Sequence, residues 1–270
     1  MSIRLTASAL AAWALATLPT ACGLPNDPRT AVQRDVGPAW EPVRTAWCGD
    51  EGWQGLDAQT CFYAPSRISS PPSVLIFLHG ILPRQSVPTH LQRMVREAAD
   101  SRGFVAIFPR ARRGVCPPWA AADAWCWPTA RATVDAQTPD IVAGWDHYIA
   151  ALEAQLELRV ERRYVFGFSS GGFFAAYLGL EDWWAIDGVG VVGAGRSSPL
   201  LRERVPPKLP PVYLARGTSD GDAMRRSADL DRALNALDWP HQLVTLPERG
   251  HEVRLDDLEN AWDYWTSRHP

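Results

Sequence analysis

Arg163-Tyr164-Val165-Phe166-Gly167-Phe168-Ser169-Ser170-Gly171-Gly172-Phe173-Phe174-Ala175 is the stretch that decides what kind of chain this is. It opens as an apolar, aromatic strand, turns through glycine, and resumes as a helix beginning at Phe173-Phe174-Ala175. Within the turn, Gly167-Phe168-Ser169-Ser170-Gly171 fits G-x-S-x-G. A serine held on so sharp a strand-to-helix turn stands with its hydroxyl above the sheet. Side chains two positions either side of it would collide, so both of those positions need glycine. Ser169 has glycine at both and Ser170 does not. The helix that follows offers backbone N–H groups and a positive dipole end to whatever sits beside the serine. A serine with no role in a glycine-rich turn is the bland alternative; the strand before and the helix after argue against it.

Outward from this turn the pattern is strand and helix in alternation. Val74-Leu75-Ile76-Phe77-Leu78 and Phe104-Val105-Ala106-Ile107-Phe108 are continuous apolar runs, as expected of strands covered on both faces. Between them a helix over about 89–102 carries Leu91, Met94, Val95 and Ala98 on one face, with Gly103 as its stop. Thr138-Pro139-Asp140 is expected to open a long helix striped by Val142, Trp145, Ile149, Leu152 and Leu156. Further strands are expected at 186–192, 211–215 and 242–246. Helices marked by Leu230, Leu234 and Leu237, and by Leu255, Leu258, Trp262 and Trp265, go with them. The alternation predicts an α/β fold, with a mostly parallel central sheet and helices on both faces. Short candidate strands lie between Cys48 and Tyr63, and a Ser/Pro linker follows. Residues 109–137 are long, irregular and rich in Arg, Pro and Trp. They carry a cysteine pair and Trp119, Trp125 and Trp127, so an ordered loop is expected.

The chain has 270 residues, 46% hydrophobic and 21% charged, with a net charge of −3. That composition excludes a disordered chain. No block of five like charges appears, so a nucleic-acid surface or polybasic membrane patch has no support. At the start, Arg4 precedes an apolar run from Ala7 to Leu18, and no acidic residue occurs before Asp27. Residues 1–21 therefore read as a secretory signal, too short to span a membrane convincingly. Leu18-Pro19-Thr20-Ala21-Cys22-Gly23 resembles a bacterial lipobox, which makes Cys22 a candidate for lipidation. Plain secretion and a retained anchor are the alternatives. Residues 22–45 read as a tether or irregular lead-in, and 46–270 as the folded domain. Four further cysteines, Cys48, Cys61, Cys116 and Cys126, allow three connectivities. Local pairing, Cys48 with Cys61 and Cys116 with Cys126, is the simplest in an oxidising compartment. A zinc site is the rival reading, weakened by the lack of C-x-x-C and of histidine near either pair.

Serine is a weak nucleophile at neutral pH and needs a base. Of the six histidines, His251 lies in a loop just past the last strand. His269 is terminal, His241 begins a strand and His147 sits mid-helix. Asp220 stands just past the penultimate strand, with Asp222 two residues on as an alternative acid. Ser169, Asp220 and His251 thus follow one another in chain order, each at a strand's carboxyl end. The order and placement resemble those of an α/β-hydrolase. His79-Gly80 follows the first apolar strand, where that family shapes its oxyanion hole. The resemblance implies the backbone N–H groups of Ile81 and Ser170 as the donors, and a bracing role for His79. More narrowly, the first strand with His79-Gly80, Gly103-Phe104-Val105-Ala106-Ile107-Phe108-Pro109, Cys126-Trp127 and the serine turn resemble secreted esterases. Those relatives are the polyhydroxybutyrate depolymerases and feruloyl esterases. The chain departs from them at Ile81, where many have cysteine, and at Arg216-Gly217, where many have a histidine–glycine pair.

The resemblance implies an exported serine hydrolase that cleaves carboxylic esters through an acyl-enzyme. No cofactor or metal is expected, the substrate is a small or oligomeric ester, and the membrane enters only through a lipid at Cys22. A serine peptidase or amidase on the same fold, and a catalytically silent binding protein, are the other classes. Trp119, Trp125 and Trp127 either pack the long loop or form an aromatic wall beside Ser169, and Trp183 and Trp184 pose the same choice. Arg110, Arg112 and Arg113 either meet an anionic substrate group or are simply solvated. Gly188-Val189-Gly190-Val191-Val192-Gly193 also fits G-x-G-x-x-G, but its glycines fall inside an apolar strand, so dinucleotide binding is not expected.

Overall fold

The computed structural model describes residues 41–196 and 204–268. The expected signal, Cys22, all of the lead-in before residue 41, and His269 lie outside the described residues. Eight strands form one sheet: β1 (Gln54–Gly55), β2 (Thr60–Tyr63), β3 (Ser73–Leu78), β4 (Val105–Pro109), β5 (Arg162–Phe168), β6 (Gly188–Val192), β7 (Val212–Gly217) and β8 (His241–Leu246). Their order is β1-β2-β4-β3-β5-β6-β7-β8. The pairings from β4 through β8 are parallel, and β1 and β2 add an antiparallel edge. Five helices cover it: α1 (Thr89–Arg102), α2 (Arg131–Gln155), α3 (Ser170–Leu180), α4 (Gly221–Ala236) and α5 (Leu255–Thr266).

The apolar runs explain the layers. Successive side chains of a strand point to opposite faces, so a strand buried on both must be apolar throughout. Val74, Ile76 and Leu78 pack with Ile141, Trp145, Phe174, Leu230 and Leu234 of α2, α3 and α4. Leu75 and Phe77 pack with Leu91 and Val95 of α1 and Leu258, Trp262 and Trp265 of α5. All five β3 side chains from Val74 to Leu78 are fully buried. Each contributes roughly 1.5–3 kcal/mol of transfer free energy, an upper estimate because the unfolded chain is not fully extended.

The glycines of the 188–193 segment make room for rings, not for a pyrophosphate. A Cβ on Gly188 would stand 2.6 Å from the indole of Trp265, and one on Gly190 would stand 2.3 Å from the ring of Phe166.

One helix starts earlier than its sequence indicates. α2 begins at Arg131 and carries Pro139 in its interior. Pro139 is exposed, so its ring stands in solvent, and the intrahelical bond it forfeits lies on the wet side. Arg131 anchors the first turn by a two-pronged ion pair with Glu181, which is fully buried (Nη1–Oε2 2.5 Å, Nη2–Oε1 2.6 Å). That partner lies 50 residues further along the chain, beyond the reach of any local pattern.

Both local disulfides are formed, Cys48–Cys61 and Cys116–Cys126. The long loop, residues 110–130, is ordered by backbone bridges from Leu82 to Trp125 and from Arg112 to Cys126.

Candidate active site

Ser169 sits between β5 and α3 at φ 54° and ψ −120°. A residue with a Cβ pays of order 1–3 kcal/mol for such a conformation, and it persists only when the surroundings dictate it. They do. The Ser169 N–H donates to Val192 O at the end of β6 (3.0 Å). A Cβ on Gly167 would lie 2.2 Å from the carbonyl oxygen of Gly171, and one on Gly171 would lie 2.1 Å from that of Leu78. Strand, helix and the end of β3 therefore meet backbone to backbone, and the serine is thrust out of the turn.

His251 and Asp220 reach it from the two neighbouring loops. His251 Nε2 is 2.9 Å from Ser169 Oγ, and His251 Nδ1 is 2.6 Å from Asp220 Oδ2. An ionised carboxylate only accepts, so Nδ1 carries the imidazole proton. Nε2 is then free to accept from the serine hydroxyl. The His251 side chain is 49% exposed and that of Asp220 only 10%, so the imidazole faces solvent while the carboxylate behind it is hidden. Asp222 plays no such part: its carboxylate is exposed and bonded to Arg225 (2.8 Å).

The acid and histidine loops are fastened to one another. Thr218 N–H donates to Leu246 O (3.0 Å), Ser219 N–H to Arg249 O (2.9 Å), and Glu248 N–H to Thr218 Oγ1 (2.8 Å). Arg249, buried two residues before His251, donates to both oxygens of Asp257 (2.7 and 2.6 Å) and to Asp256 (3.1 Å) at the start of α5. Burial pushes the Asp257 carboxyl above its ordinary range despite that partner. No motif marks Arg249 as a positioning residue; its one sequence signal is an arginine beside Gly250-His251, with Asp256-Asp257 opening the next helix.

His79 does not titrate near neutrality. Its ring is fully buried, and desolvation lowers its pKa to about 4. Nδ1–H donates to Gly80 O (2.5 Å), while Nε2 accepts from Ala111 N–H (3.1 Å). Across a trans peptide the carbonyl and the following N–H point in opposite directions. Fixing the Gly80 carbonyl on His79 therefore fixes the direction of the Ile81 N–H. Gly80 itself lies against Ser169, since a Cβ there would be 3.2 Å from Ser169 Cβ. Ser170 opens α3, where a first-turn N–H has no intrahelical acceptor. The Ile81 and Ser170 N–H groups thus belong to the two segments that meet at Ser169, and the Gly80–Ile81 peptide is held in one orientation.

The tryptophans divide. Trp127 is buried, stacked on Phe174 of α3 (5.6 Å between centroids) and 5.8 Å from the His79 ring. Trp125 is partly buried under Arg110, and Trp119 is 79% exposed. Trp184 packs against Trp145 (5.6 Å) and donates to Asp146, and Trp183 lies under Arg204 (4.5 Å), so both serve packing. Among the described residues no group of three or more His, Cys, Asp or Glu is placed to hold a metal ion.

A parallel sheet with helices on both faces, bearing serine, acid and histidine at strand ends, is the α/β-hydrolase fold. No known family model matches the chain, and no curated protein is similar to it in sequence. Its likeness is to solved structures. An esterase designated PE8 superposes with a TM-score of 0.56 at 22% identity, covering 76% of this chain and 98% of that one. SOBER1 of Arabidopsis thaliana matches with a TM-score of 0.57 at 16% identity, over 74% of this chain and 100% of that one. A Bacillus cereus carboxylesterase matches with a TM-score of 0.55 at 17% identity, over 77% and 93%.

Proposed function

We propose that this chain is an exported serine hydrolase that cleaves carboxylic esters, with Ser169 as nucleophile, His251 as base and Asp220 as its orienting acid. The observation that carries the reading is the continuous hydrogen-bonded chain Ser169 Oγ–His251 Nε2 and His251 Nδ1–Asp220, built on a backbone strained at the nucleophile. The solved structures of similar fold include proteins described as an esterase and a carboxylesterase, which supports ester over amide. The pieces that resemble secreted polyhydroxybutyrate depolymerases and feruloyl esterases, and two disulfides of the kind oxidising compartments retain, support export. Lipidation at Cys22 would tether the enzyme to the envelope.

In this mechanism Ser169 Oγ attacks the ester carbonyl while His251 Nε2 takes its proton. The tetrahedral oxyanion receives hydrogen bonds from the Ile81 and Ser170 N–H groups, where the loss of one donor typically costs about 10²–10³ in rate. His251 returns the proton to the leaving alcohol as the C–O bond breaks, leaving an acyl-Ser169. Water, deprotonated by His251, then attacks the acyl carbon and releases the acid. Hydrolysis of p-nitrophenyl acetate, butyrate and octanoate by the mature protein tests this beside Ser169→Ala. The variant is expected to fold and to lose about 10⁵–10⁶ in kcat. Equal turnover by both proteins would remove Ser169 from the reaction, and an active variant in any ester series would sink the reading.

A further inference from the structure

A cavity of about 470 Å³ lies between the residues after β4 and helix α2; Ser169, Asp220 and His251 do not line it, and the mechanism above does not use it. Small-ligand sites span roughly 300–1,000 Å³. Trp127, Trp145 and Ile141 give the cavity apolar walls, and Arg110, Arg112 and Arg113 line it beside Trp125. The arginine side is uncompensated. Arg110, Arg112 and Arg113 form no ion pair among the described residues, and the charge that bears on Arg110 is another guanidinium, that of Arg113. One carboxylate, Asp140, lines the cavity from α2, while Asp57 is occupied by a hydrogen bond from Tyr148 nearby.

The cationic side is also pre-set. The Arg110 guanidinium lies 4.0 Å over the ring of Trp125 and 4.9 Å over that of Trp47, and its Nη2 donates to Arg84 O (2.9 Å). Trp125 Nε1 donates to the same carbonyl (2.9 Å), and Arg113 stands 5.1 Å over the Trp125 ring. Three buried polar atoms of the lining residues lack partners: the donors Arg110 Nε and Trp127 Nε1, and the acceptor Gln137 Oε1. A fixed guanidinium suits a planar carboxylate, and indole faces suit a ring.

We propose that this cavity is a second binding site, separate from the serine, for a small aromatic carboxylate. The ring lies against the tryptophans, and the carboxylate is held by Arg110 and Arg113. Equilibrium dialysis of the mature protein against naphthoate, with neutral naphthamide as the companion probe, tests it. Saturable naphthoate binding is expected, with naphthamide about tenfold weaker or worse. The double variant Arg112→Gln, Arg113→Gln changes two exposed side chains, so it keeps the fold, and is expected to weaken naphthoate about tenfold. Arg110→Gln, checked for folding by its thermal melt, is expected to weaken it at least as much. No saturable binding, equal binding of the two probes, or binding unchanged in the arginine variants would each overturn the proposal. None of these readings depends on ester turnover, so the proposal stands or falls apart from the assignment of Ser169.

Discussion

The loops carrying Ser169, Asp220 and His251 and the loop of residues 110–130 stand at the carboxyl ends of the same sheet, yet they are held in different proportions by backbone and side chain. The three short loops are set by backbone against backbone. Ser169 N–H meets Val192 O, Thr218 N–H meets Leu246 O, Ser219 N–H meets Arg249 O, and glycines let chains touch where a Cβ would not fit. The long loop has fewer backbone ties, the bridges Leu82–Trp125 and Arg112–Cys126, and adds side-chain ones: a disulfide and arginines stacked on Trp125. Backbone contacts tolerate no added atom, whereas side-chain contacts can regroup. The short loops are therefore the rigid part of this face, and rigidity is what the proposed nucleophile and base require.

The largest test of that contrast is Gly171→Ala. Its Cβ would stand 2.1 Å from the backbone oxygen of Leu78, which has no room to retreat inside β3. A loss above about 4 kcal/mol, seen as failure to accumulate soluble, folded protein, is expected. Arg249→Ala comes next. It strips the buried Asp257 of its cation and unties the histidine loop from α5. Removing one partner of a buried pair costs about 3–5 kcal/mol, to be read from urea unfolding. A variant as stable as the parent would mean the loops hold themselves without α5.

His79 gives a pH-dependent test of the same rigidity. Its pKa, lowered to about 4 in the fold from an ordinary 6.5, means that between these values the unfolded chain binds a proton and the folded chain does not. Stability from this residue is complete above pH 6.5 and falls as pH drops toward 4, by up to about 3 kcal/mol. Protonation would also set an Nε2–H against the Ala111 N–H, two donors facing one another. His79→Gln removes the titration. The parent is expected to lose more stability than the variant between pH 7 and pH 4.5, and parallel loss in both would show that His79 is solvated or already charged.

What the sequence made legible follows the same division. The elbow, the apolar strands and the order of serine, acid and histidine are local patterns, because backbone geometry imposes them locally: a glycine where chains touch, an apolar run where both faces are covered. The choice between Asp220 and Asp222 was not legible, since it depends on which side chain turns inward from the start of α4. Nor was the start of α2. Thr138-Pro139 looks like a helix opening, and only the distant Glu181 reveals that Arg131 is held a full two turns earlier. Trp119, Trp125 and Trp127 looked alike in sequence; one is exposed, one stacked on arginine and one buried, because long-range packing sorted them.

The smallest expected effect puts the same substitution in the other region. Gly114 has φ 77°, and a Cβ there would meet nothing within 4 Å. Gly114→Ala therefore meets only the left-handed backbone penalty, about 1–2 kcal/mol. The less flexible unfolded chain offsets roughly 0.4–1 kcal/mol of it. The net loss is about 1 kcal/mol, a fall of roughly 2–4 °C in Tm for a domain of this size. The proposed ester turnover should not change, because Gly114 is exposed and is not one of the residues, Ala111 and Trp125, whose backbone ties this loop to His79 and Leu82. Thermal melts and p-nitrophenyl butyrate rates measure both quantities. A Gly114→Ala protein as damaged as Gly171→Ala would mean that backbone close to a neighbour, and not backbone conformation alone, also governs the long loop. The two regions would then be rigid for the same reason.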